Sequence, residues 1–137
     1  TFGTGAQQAE DELHQTIMRQ KALTLYDEAI QKKNDSFQEE LEKALLLIKL
    51  PDADNPMIGV LSLVELSNTY PDRPEVFVHL GKFSIQTGQW DRAQERLERA
   101  YELNPRNQET ICLLSTVYKE VGDAGKSAEF SELCESN

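Results

Sequence analysis

What most constrains this chain is that it repeats itself at a fixed step. Residues 74–105 read PEVFVHLGKFSIQTGQWDRAQERLERAYELNP, and a shift of 34 residues sets Phe77 on Ile111, Leu80 on Leu114, Phe83 on Val117, Gly88 on Gly122, Ala93 on Ser127 and Ala100 on Cys134. The same step backwards sets Pro105 on Pro71, Leu97 on Leu63 and Ala100 on Leu66. A period of this length marks a stack of helix-turn-helix units, each of which buries its apolar face only against its neighbours.

Apolar spacing extends the helical reading to the rest of the chain. Residues 1–7 hold two glycines and no charge, and read as a loose lead-in or the stub of an earlier helix. From Gln8 to Lys33 no proline or glycine interrupts. Leu13, Ile17, Met18, Ala22, Leu25, Tyr26, Ala29 and Ile30 recur at three- and four-residue steps, which predicts one long amphipathic helix. Lys32-Lys33 would close it at the negative end of its dipole. Ser36-x-x-Glu39 predicts a capping box for a helix running to Lys49 and stopped by Pro51. Asn55-Pro56 predicts the N-cap and first residue of the next helix, whose apolar coat from Met57 to Leu66 marks it as the most buried of the chain. Asp72-x-x-Glu75 opens the clear repeat, with helices expected over 74–87 and 91–103, and the last repeat begins near Gln108 and ends at Asn137. Gly81 is expected to meet Ala93 where the two helices cross. Glu95 and Arg99, four apart, mark a solvated face. The organisation expected is a single array of about seven helices: a long helix over 8–33, a degenerate repeat over 36–70, the clear repeat over 74–107 and the last over 108–137.

Charge and motif content narrow the functions open to such a chain. The net charge of −10 is spread evenly, with 11 acids and 6 bases in residues 1–55 and 13 and 8 in residues 56–137. No basic face emerges, so neither nucleic acid nor an anionic membrane surface is an expected partner. The longest apolar run, Ala44–Ile48, is five residues, far short of the roughly 20 that span a bilayer. The chain begins without methionine, which suggests a piece of something longer. Cys112 and Cys134 form no C-x-x-C and have no histidine near them, which argues against a metal site. They fall early and late on the two helices of the last hairpin, where antiparallel packing brings helix ends together. A disulfide and a pair of buried thiols are both open. His14 and His79 each follow an acid by four residues, Glu10 and Glu75, and read as helical salt bridges. There is no H-E-x-x-H, no G-x-S-x-G and no glycine-rich phosphate loop. Gly81, Gly88 and Gly122 read as packing and helix termination, and Trp90 as core that anchors a turn. No catalytic residue and no cofactor are predicted, and the chain is not expected to be an enzyme.

Phe77, the Leu80-Gly81 pair, Gly88, Trp90, Ala93, Leu97, Ala100 and Pro105 together resemble the tetratricopeptide repeat (TPR); Ser84 departs from it, standing where the family usually has tyrosine. The resemblance implies an all-α fold of antiparallel helix-turn-helix repeats stacked into a right-handed superhelix. It also implies a concave wall, lined by the first helix of each hairpin, that receives a peptide from a partner. Carried over by position, the inward-facing residues are Glu75, Val78, Lys82, Ile85 and Gln86 of the clear repeat and Glu109, Cys112, Thr116, Lys119 and Glu120 of the last. Lys82 and Lys119 would meet a partner's carboxylate. The basic, asparagine-rich clamp of the chaperone-docking subgroup is broken, with Val78 in place of lysine and Lys82 in place of asparagine.

DNPMIGVLSLVELSNTYPD and SIQTGQWDRAQERLERAYELNPRNQETICLLSTVY carry a narrower resemblance, over residues 20–135, to the C-terminal repeat region of bacterial tetratricopeptide proteins of the cell envelope. Those proteins have an N-terminal membrane anchor. This resemblance implies a tether outside the present sequence and a periplasmic setting in which a Cys112–Cys134 bridge would persist. Two functions follow as expectations, ahead of a third, a spacer within a larger protein. One is a protein-protein interaction scaffold that holds a peptide or protein segment in its groove. The other is a self-association module, a homo-oligomer, suggested by Phe130 and Leu133 on a last helix with no capping helix after it.

Overall fold

The computed structural model describes residues 2–32 and 35–136, which form helices α1 (Phe2–Lys32), α2 (Phe37–Lys49), α3 (Ile58–Thr69), α4 (Pro74–Gln86), α5 (Trp90–Leu103), α6 (Gln108–Glu120) and α7 (Ala124–Glu135). Among the described residues there is no strand. Lys33, expected to close the first helix, and the terminal Thr1 and Asn137 lie outside the described residues. The chain divides into two compact units, Thr1–Ser62 and Leu63–Asn137, with the boundary inside α3.

In the first unit α1 is longer than its spacing suggested. It starts at Phe2, not Gln8, so the glycine-containing lead-in is helical. Glycine lowers helix propensity by about 1 kcal/mol per residue but does not stop a helix as proline does. Helix α2 buries Phe37, Leu41, Ala44 and Leu47 on one stripe. The capping box expected at its start does not form: the Ser36 hydroxyl donates to Glu40 at 3.1 Å, and the Phe37 amide donates to Asp35 Oδ1 at 3.1 Å. A tight approach of backbones closes this unit. A Cβ placed on Gly59 would lie 2.7 Å from the Ile48 nitrogen, so only glycine fits where the start of α3 passes the end of α2.

Two corrections concern α3. It begins at Ile58, because Asn55 and Pro56 belong to a turn in which the Ile58 amide donates to the Asn55 carbonyl at 3.3 Å. Nor is it the most buried helix: Val60, Leu63 and Leu66 are buried, while Ile58 and Leu61, and Met57 just before the helix, remain exposed.

The second unit carries the clear period. Helices α4 and α5 form one antiparallel hairpin, α6 and α7 the next, and α5 packs on α6. Both hairpins turn in the same way. Gly88 and Gly122 have φ of 72° and 87°, and the residues after them, Gln89 and Asp123, donate back to Ser84 and Tyr118 carbonyls at 2.8 and 2.9 Å. This is the left-handed glycine stop that satisfies the last carbonyls of a helix. Helices α6 and α7 have side-chain caps, Asn107 on the Thr110 amide and Asp123 on the Lys126 amide. Helix α4 starts at Pro74 after Arg73 without one.

Leu97, Ala93, Ile111, Leu114, Val117, Tyr118 and Phe130 form a continuous core, with Trp90 packed against it. The residue that Gly81 must accommodate is Leu97: a Cβ on Gly81 would lie 2.6 Å from Leu97 Cγ. One period later the pair becomes Ser115 and Ser131, whose hydroxyls are hydrogen-bonded to each other. Arg99 pairs with Glu102 at 3.1 Å, and not with Glu95.

Adding a methyl at Gly81 overpacks a fully buried leucine, at about 1–3 kcal/mol, against roughly 1 kcal/mol of helix propensity gained. Gly81→Ala is therefore expected to lower the unfolding free energy, and Gly81→Leu to lower it further. Gly125→Ala, whose Cβ would have no neighbour nearer than 3.7 Å, is expected to raise it by about 0.5–1 kcal/mol. Denaturant titration of the three variants checks this; a stabilised Gly81→Ala contradicts the packing described.

Candidate functional site

Helices α4 and α6, the first of each hairpin, lie against one another in the second unit. Lys82 Nζ on α4 and Glu109 Oε2 on α6 are 2.8 Å apart. An exposed pair of this kind contributes about 0–1 kcal/mol, so its interest is geometric: it joins residues from the two helices on one face. Of the residues expected to line the groove, Glu75, Gln86, Glu109, Thr116, Lys119 and Glu120 are exposed, and Lys82, Ile85 and Cys112 are half-buried. Lys119 forms no ion pair among the described residues.

Val78 is a correction. It is 5% exposed, with Val76 and Leu80 also buried. Residues two apart on a helix point some 200° away from each other, so burial of all three means that α4 is enclosed on more than one side. Val78 is core and not groove lining. Ile85 also packs partly against the core cluster.

Cys112 is joined to Cys134 by a disulfide, with the Cα atoms 5.0 Å apart, which decides between the two outcomes left open by the sequence. The bridge ties the start of α6 to the end of α7 across 22 residues, a loop for which restricting the unfolded chain is worth about 3 kcal/mol. Beside it, Gln108 Nε2 donates to the Leu133 and Cys134 carbonyls in the last turn of α7, and the Ser136 hydroxyl also donates to Leu133 at 3.3 Å. Gln108 was not singled out from sequence; its place one turn before Cys112 is the signal that could have found it.

Neither histidine forms the helical salt bridge expected of it. His79 is half-buried on α4, and its imidazole is held below the ordinary 6.5 chiefly by burial, then by the Lys82 charge, with Glu109 and Glu75 opposing. The position where tetratricopeptide repeats usually have tyrosine is filled in an unexpected way. Ser84 is fully buried, and Arg96 reaches from α5 to donate to its hydroxyl at 2.8 Å and to the Leu80 carbonyl at 3.4 Å. Among the described residues no three His, Cys, Asp or Glu side chains converge on a metal position, and no helix is long and apolar enough to cross a membrane.

Helical hairpins repeating at this step, closed by the same glycine turn, define an all-α protein of tetratricopeptide-like fold. Solved structures bear this out. A crystal structure of MamA protein superposes with a TM-score of 0.69 at 19% identity, covering 92% of this chain and 67% of that one. MamA from Desulfovibrio magneticus RS-1 gives 0.66 at 18%, covering 90% and 68%, and MamA of AMB-1 gives 0.64 at 16%, covering 83% and 61%. The chain thus spans about three fifths of the length of that last structure. At such identities the likeness is one of fold. No family model and no curated protein matches the sequence.

The lowered His79 value fixes a direction with pH. The unfolded state holds the proton more tightly, so protonation weakens the fold as pH falls from about 6.5 through the lowered value, and the effect vanishes above about 6.5. His79→Gln is expected to flatten that part of the stability profile, measured by denaturant midpoints from pH 7 to pH 5; an unchanged profile contradicts the assignment.

Proposed function

We propose that this chain is a protein-protein interaction scaffold, which holds a peptide or protein segment against the α4–α6 face. The observation that carries the reading is the Lys82–Glu109 contact, which makes one surface of side chains from two hairpins. On that surface the half-buried Ile85 offers an apolar foothold and Lys119 an unpaired cation for a partner carboxylate. Lys82 is already engaged, so Lys119 is the better of the two lysines for that role. The tetratricopeptide-like fold supports a scaffold over a reaction centre.

A second reading, self-association, is favoured by α1. Leu13 and Leu25 are 62% and 65% exposed, and Ile17 and Met18 are also exposed. The last helix favours it less than its sequence suggested, because Phe130 is buried, 5.2 Å from Tyr101 and 5.3 Å from Tyr118 between ring centroids. We further propose a setting outside the bacterial cytoplasm, tethered by a segment beyond this sequence. The disulfide supports it, since such bonds persist in oxidising compartments.

Affinity capture from the native source tests the first reading. Thr116→Trp and Lys119→Glu should each abolish partner capture with helicity and melting temperature unchanged, and capture by both variants would overturn it. Light scattering over a concentration series tests the second reading: a constant monomer mass removes self-association.

A further inference from the structure

Away from the α4–α6 face, the second unit contains a recess of about 690 Å³, lined by apolar Val64, Phe77 and Leu80 and by Arg92, Arg96 and Arg99 of α5. The three arginines stand at i, i+4 and i+7 and so share one face of the helix. In a chain of net charge −10 this is a local reversal of sign.

The arginines differ in how their charge is met. Arg99 is compensated: it donates to Glu102 at 3.1 Å and to the Pro71 carbonyl at 3.2 Å, and its guanidinium lies 6.0 Å from the Phe77 ring centre. Arg96 donates to neutral acceptors, Ser84 Oγ and the Leu80 carbonyl. Among the described residues no carboxylate lies within ion-pairing distance of Arg92 or Arg96. Burial, and then the Arg92 charge, hold the Arg96 guanidinium below the ordinary arginine range, and Glu95 offsets this only in part. Two like charges one turn apart, one of them partly desolvated, form an arrangement that an outside anion relieves. Guanidinium forks match the two oxygens of a carboxylate. Glu95 and Glu102 also line the recess, so a uniformly acidic ligand is repelled there.

We propose that this recess is a second docking site, taking a protein partner's segment in which a glutamate or aspartate is flanked by aliphatic side chains. The carboxylate sits on Arg92 and Arg96, and an aliphatic neighbour packs on Val64 and Phe77. None of these residues belongs to the α4–α6 face, so the two surfaces are separable by mutation.

The test uses the full chain and fluorescence anisotropy with a labelled, otherwise uncharged peptide that carries a single glutamate between leucines, beside the same peptide with glutamine for glutamate. Arg92 is exposed and bonded to nothing among the described residues, so its substitution leaves the fold intact, whereas loss of Arg96 would strip Ser84 of its partner. The glutamate peptide is expected to bind. Affinity should fall roughly tenfold or more with Arg92→Glu or with the glutamine peptide, and remain unchanged with Lys119→Glu. No binding of the glutamate peptide, equal binding of the two peptides, or loss through Lys119→Glu and not through Arg92→Glu overturns the proposal.

Discussion

The second unit depends on one close approach. Gly81 has no side chain because Leu97, fully buried, occupies the space where one would stand. With that contact α4 lies on α5, and α5 in turn places Leu97 and Ala93 in the core formed by Ile111, Leu114 and Val117 of α6. Two first helices held on one shared second helix come within reach of each other, and Lys82 finds Glu109. The face proposed to receive a partner is therefore a product of core packing, and a weak surface ion pair does not hold it together.

The last hairpin solves the same problem by different chemistry. Where the first pairs glycine with leucine, it pairs Ser115 with Ser131, and the Ser127 hydroxyl donates to the Ser115 carbonyl at 3.1 Å. Helix α7 buries only Phe130 fully, under the rings of Tyr101 and Tyr118. The Cys112–Cys134 bond and the Gln108 bonds hold its end. A terminal helix with one packed face and little apolar surface thus gains by covalent and polar ties what an inner helix gains from neighbours. Ser84 follows a related logic, since Arg96 satisfies the buried hydroxyl that replaces a larger side chain.

The period was readable because equivalent positions meet equivalent surroundings. Leu80 and Leu114 are both buried, and Gly88 and Gly122 both carry the positive φ that ends a helix. Hydrophobicity told less about how many sides of a helix are covered: Met57 and Leu61 stayed exposed, while Val78 went inside. Local capping signals at Ser36 and Asn55 were outcompeted by other bonds and turns that the spacing does not encode. Gly59, which permits the backbone approach at Ile48, stands one period before the small, buried Ala93, so the repeat carried a signal for it although no contact with Ile48 could be read from spacing. The disulfide was undecided in sequence because a spacing of 22 does not specify a distance. Of the face itself, membership of α4 and α6 was legible from the repeat pattern, whereas the engagement of Lys82 and the arginine row depended on contacts between helices.

A double-mutant cycle on Gly81 and Leu97 tests the central contact most directly. If Leu97 fills the space beside Gly81, removing its side chain with Leu97→Ala makes room for Gly81→Ala. The double variant should then be more stable than the sum of the single effects allows, by about 1 kcal/mol or more. Additive effects at the two positions would mean that α4 and α5 do not meet there, and the arrangement built on that contact would be wrong.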